Sequence, residues 1–289
     1  MINKNVFAIA QKEAADHLRN TGFLVLLAVY TAIVFSSTYV YGSLSTEGSS
    51  ALLSRMNIEM IARFIPLVGI VLGFDVVIRE RRSGSMNVLL THPLFRDYVI
   101  AGKMLGAMLV LAAIVIFSVF VSIGALLIFY GFSVEYAELG RLVLLIVLTF
   151  LYGSIFLEAA VLISTLAGTS TNSLTINVVI WLFICILYGV IIQAFVSLLP
   201  FSSLSGDVVV MQLLDLSPIH HYAEATMGVA DFSFGGINSD PVIRGILDIE
   251  YTLYQSFAEF WMNIAVLIVT PIILFVAAFI EFLRKDITL

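Results

Sequence analysis

Six long apolar segments dominate this 289-residue chain and restrict what it can fold into. A helix needs about 20 predominantly apolar residues to cross a bilayer, and a membrane-spanning β-strand would alternate polar with apolar residues, which these segments do not. The predicted spans are Phe23–Tyr41, Ile58–Ile78, Leu105–Tyr130, Leu142–Leu166, Ile176–Leu199 and Phe257–Leu283. The sequence therefore predicts an all-α, polytopic integral membrane protein with six transmembrane helices, forming a single domain over residues 1–289.

Composition supports a lipid environment. Hydrophobic residues make up 61% of the chain and charged residues only 12%, whereas a soluble domain carries about 25% charged residues. The net charge of −6 disfavours a nucleic-acid partner, because binding to phosphates requires a clustered basic face. The single cysteine, Cys185, lies inside the fifth predicted span and has no partner in the chain for a disulfide.

The basic residues predict the orientation of the chain. With six spans, both termini lie on one side of the membrane, and short basic loops stay in the cytoplasm. The side of the termini carries Lys4, Lys12, Arg19, Arg79, Arg81, Arg82, Arg96, Lys103, Arg284 and Lys285. The opposite side carries Arg55, Arg63, Arg141 and Arg244. We therefore expect a multi-pass protein of the plasma membrane with both termini cytoplasmic.

The first 22 residues read as an amphipathic helix. Apolar residues recur at helical spacing, and charged residues occupy the rest of the wheel. The segment is too short and too charged to span the bilayer, so residues 1–22 are predicted to lie in the inner membrane interface. A solvated helical extension is the alternative.

The loop at residues 79–97 is the only substantial cytoplasmic connection, and it is charged at both ends and apolar in the middle. A glycine breaks the helix after the first charged cluster, and a proline ends the apolar stretch. The residues concerned are Glu80, Arg81, Arg82, Gly84, Leu89, Leu90, Pro93 and Arg96. A short helix with this pattern fits a groove in a partner protein, although a positive-inside anchor resting on lipid would show the same charges.

The sequence IRERRSGSMNVLLTHPLFRDYVIAGKMLG resembles the segment that follows the second span in membrane subunits of type-2 ATP-binding-cassette (ABC) transporters. The matching positions are Glu80, Arg81, Gly84, Leu89, Leu90, Pro93, Arg96, Gly102, Lys103, Leu105 and Gly106. The N-terminal AQKEAADHLRNTGFLVLL is similar to the connecting helix of that family. Lys12, Glu13, Arg19 and Asn20 are in register there. The six spans and the long last outer loop agree with the same family.

The resemblance implies that residues 79–97 form a coupling helix seated in a separate ABC ATPase subunit. This chain contains no G-x-x-x-x-G-K-[ST] phosphate loop, so ATP and Mg²⁺ are expected in the partner, with no cofactor bound by this chain and no catalytic residue in it. The resemblance further implies a second copy of the permease and, as the favoured function, an exporter. No side chain here selects a substrate.

Two carboxylates inside the predicted spans suggest an alternative function. Intramembrane acids are expensive and usually face a cavity or a partner, so Asp75 and Glu158 could serve an ion- or proton-coupled secondary transporter. The structural interpretation pairs Asp75 with Lys103 or a nearby arginine. It gives Glu158 a hydrogen bond to Ser154, Thr165 or a neighbouring span.

The outer loop at residues 200–256 is long enough to fold. Val208–Leu216 and Pro218–Val229 are predicted as short helices, and the acidic loop could bind an extracytoplasmic partner. The adjacent His220 and His221 point in different directions on a helix, which disfavours a metal site. A membrane-embedded enzyme acting on lipids is the least favoured class, because no catalytic constellation is visible.

Overall fold

The computed structural model describes residues 4–44, 58–83, 96–131, 136–199, 203–229, 245–248 and 251–284, and these contain helices but no β-strand. A five-residue π-helical segment, Phe183–Leu187, joins the helices Ser170–Leu182 and Tyr188–Ser197. The helices are α1 Lys4–Arg19, α2 Thr21–Leu44, α3 Ile58–Gly73, α4 Val76–Ser83, α5 Arg96–Tyr130, α6 Tyr136–Leu166, α7 Ser170–Leu182, α8 Tyr188–Ser197, α9 Ser203–Leu214, α10 Pro218–Met227 and α11 Leu253–Arg284.

The predicted all-α fold with six spans is confirmed. The third span, α5, is longer than predicted. It begins at Arg96 rather than Leu105, because its first turns pack on α1 and not on lipid. The segments long and apolar enough to cross a membrane are Thr21–Val40, Ile58–Glu80, Asp97–Tyr130, Glu138–Leu166, Ser170–Ser197 and Leu253–Arg284.

The second and fourth spans form the centre of the bundle, and glycines bring them together. A Cβ atom at Gly69 would lie 2.7 Å from the carbonyl oxygen of Gly153. A Cβ atom at Gly73 would lie 2.6 Å from the carbonyl oxygen of Leu157. Only glycine fits at such distances, which is how small residues allow close packing of membrane helices.

Helix α1 confirms the predicted N-terminal helix and packs along the start of α5. It ends before Asn20, whose side-chain oxygen accepts a hydrogen bond from the backbone N–H of Phe23 at 3.2 Å. Asn20 thereby satisfies an N–H group at the start of α2, as helix-capping residues do. Phe7 and Leu18 are exposed on α1, and apolar side chains on the free face suit an interfacial helix.

The outer segment between the last two spans folds as predicted into two short helices, now bounded as α9 and α10. Helix α9 packs against α8. Helix α10 is buried among the spans: the Tyr222 hydroxyl lies 2.7 Å from that of Thr149, and its ring stacks on Tyr152 with centroids 4.7 Å apart. Arg141 of α6 donates hydrogen bonds to the carbonyl oxygens of Ile246 and Tyr251 and so attaches the end of this segment to the fourth span.

Candidate functional site

The candidate functional site is an ionic cluster where α1 meets the ends of the second and third spans on the side of the N-terminal helix. We call it the inner junction, after the predicted orientation of that side. Its centre is Glu13 of α1, which is 3% exposed. One carboxylate oxygen accepts a hydrogen bond from Arg79 of α4 at 2.5 Å, and the other accepts one from Lys103 of α5 at 2.8 Å. Lys103 also pairs with Glu80 of α4 at 2.9 Å. Two acids and two bases thus balance each other in a largely buried place, where an unpaired charge would be costly.

Two glycines allow α1 to approach α5 closely enough to form this cluster. A Cβ atom at Gly102 would lie 2.7 Å from Cβ of Ile9, and one at Gly106 would lie 2.6 Å from the carbonyl oxygen of Ala10. The glycines flank Lys103, so the same stretch of α5 supplies both the close contact and the cation. This arrangement gives a physical reason for the Gly-Lys-x-Leu-Gly pattern that begins the third span.

His17 completes the inner junction on the side of α1. Its Nε2 atom lies 3.5 Å from the Glu13 carboxylate, and the ring is 4% exposed. Burial lowers the pKa of the His17 imidazole below its usual value. Glu13 and Asp75 oppose this shift in pKa, whereas Arg79 and Lys103 add to it. A neutral His17 suits a cluster whose charges already balance.

The predicted coupling segment lies only partly within the described residues. Gly84, Leu89, Leu90 and Pro93 fall outside them. Arg81 and Arg82 belong to α4, which leads away from the second span, and Arg96 is the first residue of α5. Glu80 pairs with Lys103 and so joins these two helices. Both ends of the coupling segment therefore start from the inner junction.

The two intramembrane acids differ from their predicted surroundings. Asp75 lies in the turn between α3 and α4, half-buried, and among the ion pairs of the described residues Arg79 and Lys103 bind Glu13 and Glu80 instead. Among the described ion pairs Asp75 is thus not the partner of Lys103 or Arg79, and its pairing with another nearby arginine stays a prediction. Its backbone carbonyl accepts a hydrogen bond from the N–H of Arg79.

Glu158 is completely buried, and neither of its carboxylate oxygens has a hydrogen-bond partner within the described residues. Ser154 donates to the Phe150 carbonyl at 2.7 Å and Thr165 to that of Leu162 at 2.6 Å, so the hydrogen bonds predicted for Glu158 are not formed. Glu158 and Asp75 therefore share no hydrogen bond among the described residues.

Sequence reasoning missed the central role of Glu13. The amphipathic pattern had placed this residue among the charges away from the apolar stripe, yet the structure buries it against α5. A signal was present, because His17 lies four residues after Glu13 and shares its face of the helix. Lys103 between two glycines was the complementary signal on α5.

Comparison with known proteins agrees with this architecture. Residues 7–287 match the family model described as "ABC-2 family transporter protein". The chain is 25% identical over 240 residues to "Probable ABC transporter permease protein NosY" of Stutzerimonas stutzeri, covering 78% of this chain and 85% of the relative. It is 26% identical over 266 residues to the protein of the same description from Pseudomonas aeruginosa, covering 90% of this chain and 92% of the relative.

These matches extend over nearly the whole chain and agree with its six apolar helices. They support a multi-pass protein of the plasma membrane that is not itself catalytic and that works with an ABC ATPase. They do not favour the ion-coupled secondary transporter that Asp75 and Glu158 had suggested. This chain is a permease subunit and belongs to the ABC-2 family of transporter proteins.

Proposed function

We propose that the inner junction transmits movement from the ATPase subunit to the membrane helices of an ABC exporter. ATP and Mg²⁺ bind in the ATPase, and the coupling helix at residues 79–97 contacts it through Leu89 and Leu90. Both termini lie in the cytoplasm, and two copies of this chain assemble with two ATPase subunits. The family assignment and the basic residues on the side of the termini support this arrangement.

One observation carries the proposal: Glu13 binds both α4 and α5, the helices that contain the two ends of the coupling segment. Arg79 belongs to the helix that leads into residues 84–95, and Lys103 belongs to the helix that leads out of them. A force on the segment therefore acts on α4, α5 and α1 together. Because Gly102 and Gly106 hold α1 against α5 without a gap, the three helices move as one body.

The Glu13→Gln substitution tests transmission. Glutamine keeps the shape of the side chain but cannot balance the charges of two cations. We therefore expect membrane insertion and ATPase binding to persist, while the spans no longer move when ATP binds. Asp16→Asn is the matched control on the same helix, because Asp16 forms no ion pair among the described residues. Spin labels at Tyr136 and Tyr254, which are 95% and 82% exposed at the outer ends of α6 and α11, report the movement.

We expect ATP to change the label distances in the unsubstituted complex and in Asp16→Asn, and to change them much less in Glu13→Gln. An unaltered response in Glu13→Gln would show that the inner junction does not transmit the movement.

Binding of the ATPase is tested separately. Leu89→Asp should abolish copurification with the ATPase while leaving membrane insertion intact. Copurification that survives this change would show that the apolar part of the coupling segment does not bind the ATPase.

Export and the second copy are tested by reconstitution. Compounds that stimulate ATP hydrolysis by the purified complex identify a transported molecule, which should then move away from the side on which ATP is supplied. Movement towards that side would contradict export. The mass of the detergent-solubilised complex should correspond to two permease and two ATPase chains.

The outer segment is proposed to bind an extracytoplasmic partner, on the basis of its length and acidic composition. Helix α10 is buried and cannot serve this purpose, whereas Val208 and Met211 of α9 are exposed. Cross-linking of the intact complex through cysteines at these two positions should capture such a partner. The absence of any product at both positions would argue against α9 as its docking surface.

A further inference from the structure

The exposed face of α1 carries cations and no fully exposed acid. Lys4, Lys12 and Arg19 are exposed, and none of them takes part in the ion pairs of the described residues. The two acids of the helix are turned away from this face. Glu13 is buried in the inner junction, and Asp16 is half-buried. The charge that α1 offers to its surroundings is therefore positive.

Two large apolar side chains share the exposed face of α1 with these cations. Phe7 is 59% exposed and Leu18 is 51% exposed. They lie about three helical turns apart, and therefore on the same edge of the face. At about 100° of rotation per residue, Lys12 and Arg19 fall on the other edge. An apolar edge beside a cationic edge is typical of a helix that rests on an anionic membrane surface.

The cationic edge leads directly into the first span. Helix α1 ends at Arg19, and α2 begins at Thr21 after Asn20 alone. The part of α2 that is long and apolar enough to cross a membrane also begins at Thr21. Arg19 is therefore next to the end of an apolar span, which is where the headgroups of a bilayer lie.

An apolar groove begins just after the end of α1 and follows the first span. It lies between α2 and α3 and has a volume of about 420 Å³ less than a large ligand pocket would need, about 310 Å³ in all. On α2 it runs from Gly22 through Val29 to Ile33, and on α3 it is lined by Phe64 and Leu67. The stretch from Gly22 to Ile33 rises about 16 Å along a helix.

The length and position of this groove fit one acyl chain. The hydrocarbon core of a bilayer is about 30 Å thick, so a groove of about 16 Å has the depth of a single leaflet. A membrane helix from a second copy of the chain would be about 10 Å wide and would cross both leaflets. The groove begins at Gly22, next to the cationic edge of α1, so a chain lying in it has its headgroup close to Arg19.

We propose that the cationic edge of α1 and the groove between α2 and α3 together bind an anionic phospholipid of the leaflet on the side of α1. Arg19 binds the phosphate of the headgroup, and Lys12, about two turns away, adds to the attraction. One acyl chain of the same lipid fills the groove. The site does not depend on the proposed function, because neither the ATPase nor a transported molecule takes part in it.

Nitroxide-labelled lipids test the charge preference in the full-length permease, reconstituted in nanodiscs. A fluorophore is attached to Gln11→Cys, an exposed position on the same face of α1, while the native Cys185 is fully buried and does not compete for the label. A nitroxide near the headgroup end of an acyl chain quenches this fluorophore. Labelled phosphatidylglycerol should quench on the order of fivefold more effectively than labelled phosphatidylcholine, as one lysine or arginine near an anionic leaflet predicts.

Removing the two charges should remove this preference. In Lys12→Gln with Arg19→Gln the two lipids should quench almost equally, because the attraction is electrostatic. The matched control, Lys12→Arg with Arg19→Lys, keeps both charges and should keep the preference. Equal quenching by the two lipids without these substitutions, or a preference that survives in the glutamine variant, would overturn the proposal.

The groove is tested by filling it. The electron paramagnetic resonance spectrum of labelled phosphatidylglycerol should contain more motionally restricted lipid than that of labelled phosphatidylcholine. Val29→Trp places a large side chain in the groove and should abolish this excess, whereas Val40→Trp, at a similarly exposed position of α2 outside the groove, should not. An excess that persists in Val29→Trp would refute the site. Loss of the excess in the assembled complex with the ATPase would also refute it, since a protein chain would then cover the groove.

Discussion

The inner junction differs in its charges from the contact of α10 with the sixth span, where His221 and Glu224 bind Asn263 and which we call the outer junction. Each attaches a short helix to the spans through a buried histidine and a glutamate. At the inner junction, Arg79 and Lys103 balance Glu13 and Glu80, and burial keeps His17 neutral. At the outer junction, the described residues provide carboxylates, histidines and an asparagine but no lysine or arginine.

The inner junction responds to acid through His17. The pKa of His17 is lower in the folded protein than in the unfolded chain, so acid favours the state in which α1 is detached. Permanent ion pairs suit a connection that must transmit force throughout a cycle.

Glu13→Ala should give the largest effect, because it leaves Arg79 and Lys103 without their shared anion in a buried place. Removing one member of a buried ion pair costs about 3–5 kcal/mol. We expect α1 to lose protection against hydrogen exchange while α10 keeps it. The double substitution Glu13→Ala with Lys103→Met should recover part of the loss, and Asp16→Ala serves as the control. Equal loss in both helices would mean that the two junctions are not independent.

Gly106→Val should have the next largest effect by displacing α1 sterically. Its Cβ atom would lie 2.6 Å from the Ala10 carbonyl oxygen and 2.9 Å from Cβ of Glu13, so the helix must move away. Overpacking of this kind costs about 1–3 kcal/mol. Gly124→Val on the same helix is the matched control, because a Cβ there meets nothing within 4 Å. Accessibility of a cysteine at Ala10, which is otherwise buried, measures the displacement.

Much of the inner junction was predictable from the sequence, and its centre was not. The length of the apolar runs predicted six spans, since crossing a bilayer is a requirement on each segment separately. The N-terminal helix followed from its local periodicity. The burial of Glu13 depends instead on two cations more than 60 residues away, Arg79 and Lys103, and no local pattern shows that three helices meet at one point.

The outer junction shows the same limit. Turn residues marked the ends of α9 and α10, and adjacent side chains on one helix had to diverge, as His220 and His221 do. The bond between His221 and Asn263 joins positions 42 residues apart and needs the folded bundle to exist. For Glu158 the sequence predicted a contact that the structure lacks. The hydroxyls of Ser154 and Thr165 are near in sequence, but they donate to carbonyl oxygens of their own helix.

His17→Gln should produce a smaller, pH-dependent effect confined to the inner junction. Because burial lowers the pKa of His17, the folded protein resists the proton that the unfolded chain takes up below about pH 6.5. Protection of α1 should therefore fall as the pH drops below that value, by at most about 1.4 kcal/mol per pH unit. Glutamine does not titrate, so this fall should vanish in the variant. A fall that persists would show that His17 is not its source.

Glu158→Gln should have the smallest effect of the four substitutions, although the side chain is completely buried in the fourth span. Neither carboxylate oxygen has a partner among the described residues, so no ion pair or hydrogen bond is lost, and glutamine has almost the same volume. We expect a change in stability of less than about 0.5 kcal/mol, within the range of neutral substitutions. Glu158→Lys should prevent folding, because it places an unpaired cation in the same position. A large loss of ATP-driven transport in a stable Glu158→Gln protein would instead mean that this acid acts in the cycle, and that both junctions together do not account for coupling.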